Sequence, residues 1–233
     1  ILIQQNVSDD WILFSNLNLD EWKFSFNGKS TFNDIRIFNR MNNYGMTGCL
    51  NFYKVKFNNN DFDIQNGRCE DSLNIVSSSG KIKRINITSA FSDALDIDFS
   101  NISIEDASVH LAGNDCVDFS GGNYEINEFN LKDCGDKGVS IGEQSNIKIN
   151  NIRVENAIIG VASKDSSKSL INKSVIKKVE TCLSSYNKKQ EFFGSNLIVK
   201  NIDCNYYLTD KEHDEFSDIK YDNVELKKIE KKL

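Results

Sequence analysis

The stretch Ser92–Gly122, SDALDIDFSNISIEDASVHLAGNDCVDFSGG, decides the fold. It holds nearly the same phrase twice: SDALDIDFS from Ser92 returns as NDCVDFSGG from Asn114, 22 residues on. In Asp93–Ser100 apolar Leu95, Ile97 and Phe99 alternate with polar Asp96, Asp98 and Ser100. That is the period of a half-buried strand, with the first three residues facing inward and the last three outward.

The phrase belongs to a longer series. TGCLNFY, EDSLNIV, SDALDID, NDCVDFS, DKGVSIG, IGVASKD and TCLSSYN place anchors at Leu50, Leu73, Leu95, Val117, Val139, Val161 and Leu183, in steps of 22 or 23. A second apolar series runs Ile64, Ile87, Val109, Leu131, Val154, Ile176, and a third Ile104, Ile126, Ile149, Ile171. Three short strands per period leave no room for a crossover helix. One coil cannot bury its apolar side alone, but stacked coils form a continuous core. The reading is all-β: a parallel β-helix (solenoid) of about eight coils of ~22 residues. The right-handed form is favoured by extending the handedness rule of parallel crossovers to the coils. The NNN, SSSG and SGG stretches fit its turns, and the absence of proline fits uninterrupted ladders.

The whole chain, 1–233, reads as a single β-helix domain. Residues 1–45, with both tryptophans, fit irregular first coils or a cap; 46–207 the regular coils; 208–233 a charged cap or a linker. The chain opens in mid-strand without Met, as an excised domain of a longer protein would. A net charge of −6 argues against nucleic acid. No apolar run reaches the ~20 residues of a membrane helix, so membrane insertion is not expected. The six cysteines form no CxxC pair, which argues against structural zinc, and their wide spacing leaves the disulfide state open. Cys182 and Cys204, 22 apart, suit either a bond or a stack of thiols in neighbouring coils.

Core needs explain the inward residues but not the outward ones. Alignment by the anchors gives one outward column of Asn51, Asn74, Asp96, Asp118, Ser140, Ala162 and Ser184. A second has Tyr53, Val76, Asp98, Ser120, Gly142, Lys164 and Tyr186. At the preceding turn stand Asp71, Asp93, Asp115 and then Lys137. Coils stack roughly 4.8 Å apart, so Asp96 and Asp118 would repel and call for a donor or cation between them. The turn aspartates have a plainer use in holding backbone amides, and Asp115 with Lys137 in forming an ion pair. His110, before Leu111 in VHLAG, reads as structural.

These residues resemble the pectin-lyase-like right-handed β-helices, and within them the polygalacturonase motif series NTD, DD, GHG and RIK. Asp93 in FSDAL and Asp115 in GNDCV stand at family carboxylates, and Lys164 in GVASKD at the substrate-binding lysine. Asn114 replaces an aspartate, Lys137 the histidine and Ala162 the arginine. Phrase by phrase, from MTGCLNFY to YNKKQEF, Met46 to Phe193 is similar to β-helix domains found beside CotH-type domains in bacterial surface or envelope proteins. That likeness implies an accessory domain and supplies no reaction.

The expected function is binding of carbohydrate, or of a protein partner, through the acidic face, with a cell-surface, envelope or secreted setting favoured. The binding residues would be Asp96, Asp118, Lys164, Tyr186 and Lys188, with calcium as a possible ion on Asp96 and Asp118 and no other cofactor. The alternative is a polysaccharide hydrolase, lyase or epimerase using Asp93, Asp115 and Lys137. A structural spacer is the second alternative.

Overall fold

The computed structural model describes residues 1–7, 10–29, 40–222 and 224–228, and among these there is no helix. The first strands are β1 (Leu2–Gln4), β2 (Ile12–Ser15), β3 (Asn18–Asp20), β4 (Lys23–Asn27), β5 (Gly48–Tyr53) and β6 (Lys56–Gln65). The central ones are β7 (Asp71–Val76), β8 (Ser79–Ala90), β9 (Asp93–Asp98), β10 (Asn101–Ala112), β11 (Val117–Ser120), β12 (Asn123–Cys134) and β13 (Lys137–Gly142). The last are β14 (Asn146–Lys164), β15 (Lys168–Tyr186), β16 (Asn196–Val199), β17 (Ile202–His213), β18 (Asp218–Tyr221) and β19 (Val224–Lys228).

Each strand pairs in parallel with its counterpart one coil away, and the chain forms a β-solenoid. The anchors are successive register partners: Ile12, Leu50, Leu73, Leu95, Val117, Val139, Val161 and Leu183. So are Ile64, Ile87, Val109, Leu131, Val154 and Ile176. The anchors from Leu50 to Leu183 are all shut off from solvent. Each such side chain contributes about 1.5–3 kcal/mol by burial, and no coil could gain this without its neighbours. The stack has about 10 turns rather than eight. Register outlasts phrase similarity at both ends: β1 pairs with β4, and β16 and β17 pair with β18 and β19. Of the two irregular ends, residues 8–9, 30–39, 223 and 229–233 lie outside the described residues.

The corners depart from simple alternation. Ser77, Phe99, Gly121, Glu143 and Asp165 share the left-handed conformation, with φ between 48° and 55°. Ser89, Leu111, Asp133, Asn156, Lys178 and Tyr206 do the same at a second corner. At the first corner the left-handed residue directly follows the strand, at the second it lies within one, and at both it breaks the alternation and turns its own side chain outward. Phe99 therefore lies 60% exposed, and Ser100 is fully buried, the opposite of what the alternation predicts. Leu111 is likewise outside the core at 52% exposed, and His110 beside it meets Asp133 on the surface at 3.1 Å.

Behind the first corner runs a ladder of buried serines. Val55 N donates to Ser78 Oγ at 3.0 Å and Ser78 N to Ser100 Oγ at 2.9 Å, while Ser100 Oγ donates to Asp98 O at 2.7 Å. The next coil has Gly122, where a Cβ would come within 2.2 Å of Ser100 O and 2.7 Å of Tyr124 Oη. Tyr124 takes the missing serine's place: its hydroxyl donates to Ile97 O at 3.0 Å and accepts from Ser100 N at 3.4 Å.

All six cysteines are paired, as Cys49–Cys69, Cys116–Cys134 and Cys182–Cys204. In each pair the first cysteine immediately precedes an anchor. Cys182 and Cys204 bond without being stacked: the register partner of Cys204 is Ile176, 28 residues earlier. An insertion between β15 and β16 lengthens this coil, so a spacing of 22 no longer marks one turn.

Candidate functional site

The anchor strands β5, β7, β9, β11, β13 and the last part of β14 and β15 form one parallel sheet. Its outward residues line up as the repeat requires: Asn51, Asn74, Asp96, Asp118, Ser140, Ala162 and Ser184 are successive partners. Beside them stand Tyr53, Val76, Asp98, Ser120 and Gly142, then Lys164 and Tyr186. Asn51 and Asn74 are inaccessible to solvent, as are Ser140, Ala162 and Ser184. The column is closed off at its ends, while Asp96, Asp98, Asp118 and Ser120 at its centre are half-buried.

The turn column zips the coils together. Asp93 Oδ1 accepts from the Asp115 amide at 2.8 Å and from Asn114 Nδ2 at 2.7 Å. Asp115 Oδ1 accepts from the Lys137 amide at 3.0 Å and from Lys137 Nζ at 3.4 Å, and Nζ also binds Asp136. Asp93, Asp115 and Lys137 are thus adjacent, and each is engaged in holding its neighbour. Burial pushes Asp93 up to about 6 against these bonds, and Asp115 up to about 7 against the pull of Lys137. Burial draws Lys137 down, but Asp115 and Asp136 outweigh it and hold the ammonium above the usual lysine range.

The acidic centre lacks such a zip. Asn74 Nδ2 donates to Asp96 at 3.3 Å. Burial, with Asp71, Asp98 and Asp118 around it, pushes Asp96 well above the usual carboxylate range. Burial and the charge of Asp118 raise Asp98 to about 6, with Lys189 pulling the other way. Asp118 Oδ1 and Ser140 Oγ, register partners in adjacent coils, are buried and have no hydrogen-bond partner among the described residues. An acceptor shielded from water and left unpaired costs about 1–3 kcal/mol.

Asp71 Oδ2 and Ser72 Oγ on β7 are buried and unpartnered in the same way, and Lys164 joins the wall two coils on from Asp118. It is 6% exposed, and its ammonium makes no hydrogen bond or ion pair among the described residues. Its chain folds back over Gly142, where an added Cβ would lie 3.5 Å from Cε and 3.9 Å from Nζ. Tyr186 stands in register with Lys164 one coil on. The inserted loop after Tyr186 brings Lys189, not Lys188, to the wall: Lys189 pairs with Glu143, while Lys188 is exposed. The loop is held by buried Asp165, whose Oδ1 accepts from the amides of Lys188 at 2.6 Å and Lys189 at 2.8 Å. Sequence reasoning missed Asp165, because a carboxylate serving two backbone amides of an insertion leaves no periodic trace. It also placed Phe99 in the core. The signal was present: Gly121 of SGG occupies the same place in the next coil and marks it as a corner.

Asp96 and Asp118 offer two carboxylates and Ser140 a hydroxyl, toward the six to eight oxygens that calcium takes. Among the described residues no three His, Cys, Asp or Glu side chains are grouped to hold a metal ion.

The fold and this wall define a parallel β-solenoid with an acidic outward face. No family model matches the chain, and neither a curated protein nor a solved structure matches it.

Proposed function

We propose that the protein binds a polysaccharide through the acidic wall. One observation carries the reading: Asp118 Oδ1 and Ser140 Oγ, register partners in adjacent coils, are buried with no hydrogen-bond partner among the described residues, and Lys164 lies over Gly142 on the same wall. Sugar hydroxyls would donate to Asp118 and meet Ser140, and a hydroxyl oxygen or an anionic substituent would meet Lys164. Asp96 and Tyr186 flank these groups, and Lys188 lies at the rim. The position of the carboxylates and the coil length support a pectin-lyase-like kind of solenoid. Three disulfides support a surface, envelope or secreted setting for an accessory domain.

A second reading, a polysaccharide-active enzyme, is favoured by Asp98, raised to about 6 beside Asp118. Burial and the neighbouring charge of Asp118 keep the Asp98 carboxyl protonated to higher pH than a free one, as a general acid requires. A printed glycan array, with and without Ca²⁺, tests both readings on the wild type and on Asp96→Ala/Asp118→Ala. A specific signal lost in the double variant, with the fold intact by circular dichroism, is expected. No signal, or one the double variant keeps, overturns binding at this wall. Shortened products from a bound glycan establish the enzyme.

A further inference from the structure

Two exposed phenylalanines stand at the edge of this wall, and they hold the same place in the repeat. At the corner Gln144 N donates to Asp165 O at 2.8 Å, and one coil on Ser166 N donates to Phe193 O at 2.7 Å. Phe193 therefore continues the corner column Phe99, Gly121, Glu143, Asp165, four coils from Phe99. At roughly 4.8 Å per coil the two positions are about 19 Å apart along the axis. The residues between them are small or charged, and the exposed aromatics sit at the ends.

Neither phenylalanine is explained by packing: Phe99 is 60% exposed and Phe193 is 81% exposed. Both are nevertheless held on fixed backbone. Phe99 has φ 48°, a conformation bulky residues avoid and that persists only where its surroundings enforce it. Its ring lies on Gly121, where a Cβ would come within 2.8 and 3.0 Å of two ring carbons. Glycine at 121 is what lets the ring lie against the next coil, beside Asp98. Phe193 is fixed from both sides, its amide donating to Ser166 Oγ at 2.8 Å and its carbonyl accepting from Ser166 N.

We infer that Phe99 and Phe193 are stacking platforms for sugar rings at the two ends of the acidic wall, and that the glycan chain runs parallel to the solenoid axis between them. The inference rests on the carbohydrate-binding reading above. A pyranose presents positive C–H edges, which suit the negative face of an aromatic ring, while its hydroxyls reach the wall. Rings already fixed in place lose little entropy on binding. A ligand long enough to touch both platforms gains over a short one.

Titration calorimetry with cellohexaose, xylohexaose and hexagalacturonic acid, and with the corresponding disaccharides, tests this. At least one hexasaccharide should bind more tightly than its disaccharide. Phe99→Ala and Phe193→Ala should each weaken it roughly tenfold, and Phe193→Ala should remove most of the length advantage. Phe99→Trp should keep binding and change its fluorescence when the hexasaccharide is added. Gly121→Ala, which displaces the ring, should act like Phe99→Ala. Unchanged hexasaccharide binding in both alanine variants, with binding lost in Asp118→Ala, overturns the platforms and leaves the wall standing. No binding of any of these sugars by a wild type that is also silent on the glycan array overturns the carbohydrate reading and the platforms with it.

Discussion

Lys164 lays its side chain over Gly142, and its ammonium makes no hydrogen bond or ion pair among the described residues. Its stem is packed while the ammonium keeps access to water, so the charge costs the fold little. Lys164→Met, which keeps the length and removes the charge, should therefore leave stability within about 0.5 kcal/mol, with the midpoint nearly unmoved. The same variant should bind the array-selected glycan more weakly. Thermal melts and calorimetry on one preparation check both; a lowered midpoint would show that Lys164 serves the fold.

The acidic wall sets a pH dependence of unusual sign. Asp93 and Asp98 are raised to about 6 and Asp115 to about 7, with Asp71 and Asp96 displaced the same way. In the unfolded chain these carboxyls release their protons near pH 4. Between about pH 4 and 7 the folded protein holds more protons than the unfolded one, so stability falls as pH rises through that window. Carboxylates held low by surface partners, such as Asp133 and Asp218, act in the opposite sense only at lower pH. The melting midpoint should be higher at pH 5 than at pH 8, and Asp98→Asn should flatten the slope. A midpoint that rises steadily from pH 5 to 8 would contradict this.

Tyr124 reaches back to do the work of a serine that Gly122 cannot carry. Tyr124→Phe keeps the ring against Phe119, with centroids 4.6 Å apart, and removes only the hydroxyl. It should cost about 1–3 kcal/mol, measured by urea unfolding. Gly122→Ser should not restore the loss, because its Cβ would meet Ser100 O at 2.2 Å.

The repeat was legible because burial imposes it. Leu95, Val117 and Val139 recur at fixed intervals because each must meet the one before, and the outward register of Asp96, Asp118 and Ser140 followed from theirs. Local exceptions were not legible. Phe99 looks inward by alternation, and only the left-handed corner turns it out. The bond between Cys182 and Cys204 was open from spacing, since the insertion that shifts Cys204 onto Ile176 has no period. Which of Lys188 and Lys189 meets the wall depends on how Asp165 pins the loop, a matter of backbone bonds.

The disulfides lock coils whose closure the core already favours. Cys116–Cys134 spans 18 residues in the middle of the stack. Cys116→Ser/Cys134→Ser should lose about 3 kcal/mol, or roughly 6–12 °C in midpoint, if loop-closure entropy dominates. The wild type should titrate no free thiol after denaturation without reductant; two or more reactive thiols there would contradict the pairing.

Coil stacking gathers acids distant in sequence onto one half-buried wall. NMR titration of the aspartate side-chain carboxyls tests it most directly. Asp93 and Asp98 should titrate near 6 and Asp115 near 7, with Asp98 shifting when Asp118 is replaced by Asn. Independent titration of all three near 4, indifferent to Asp118, would show that these residues do not share a wall.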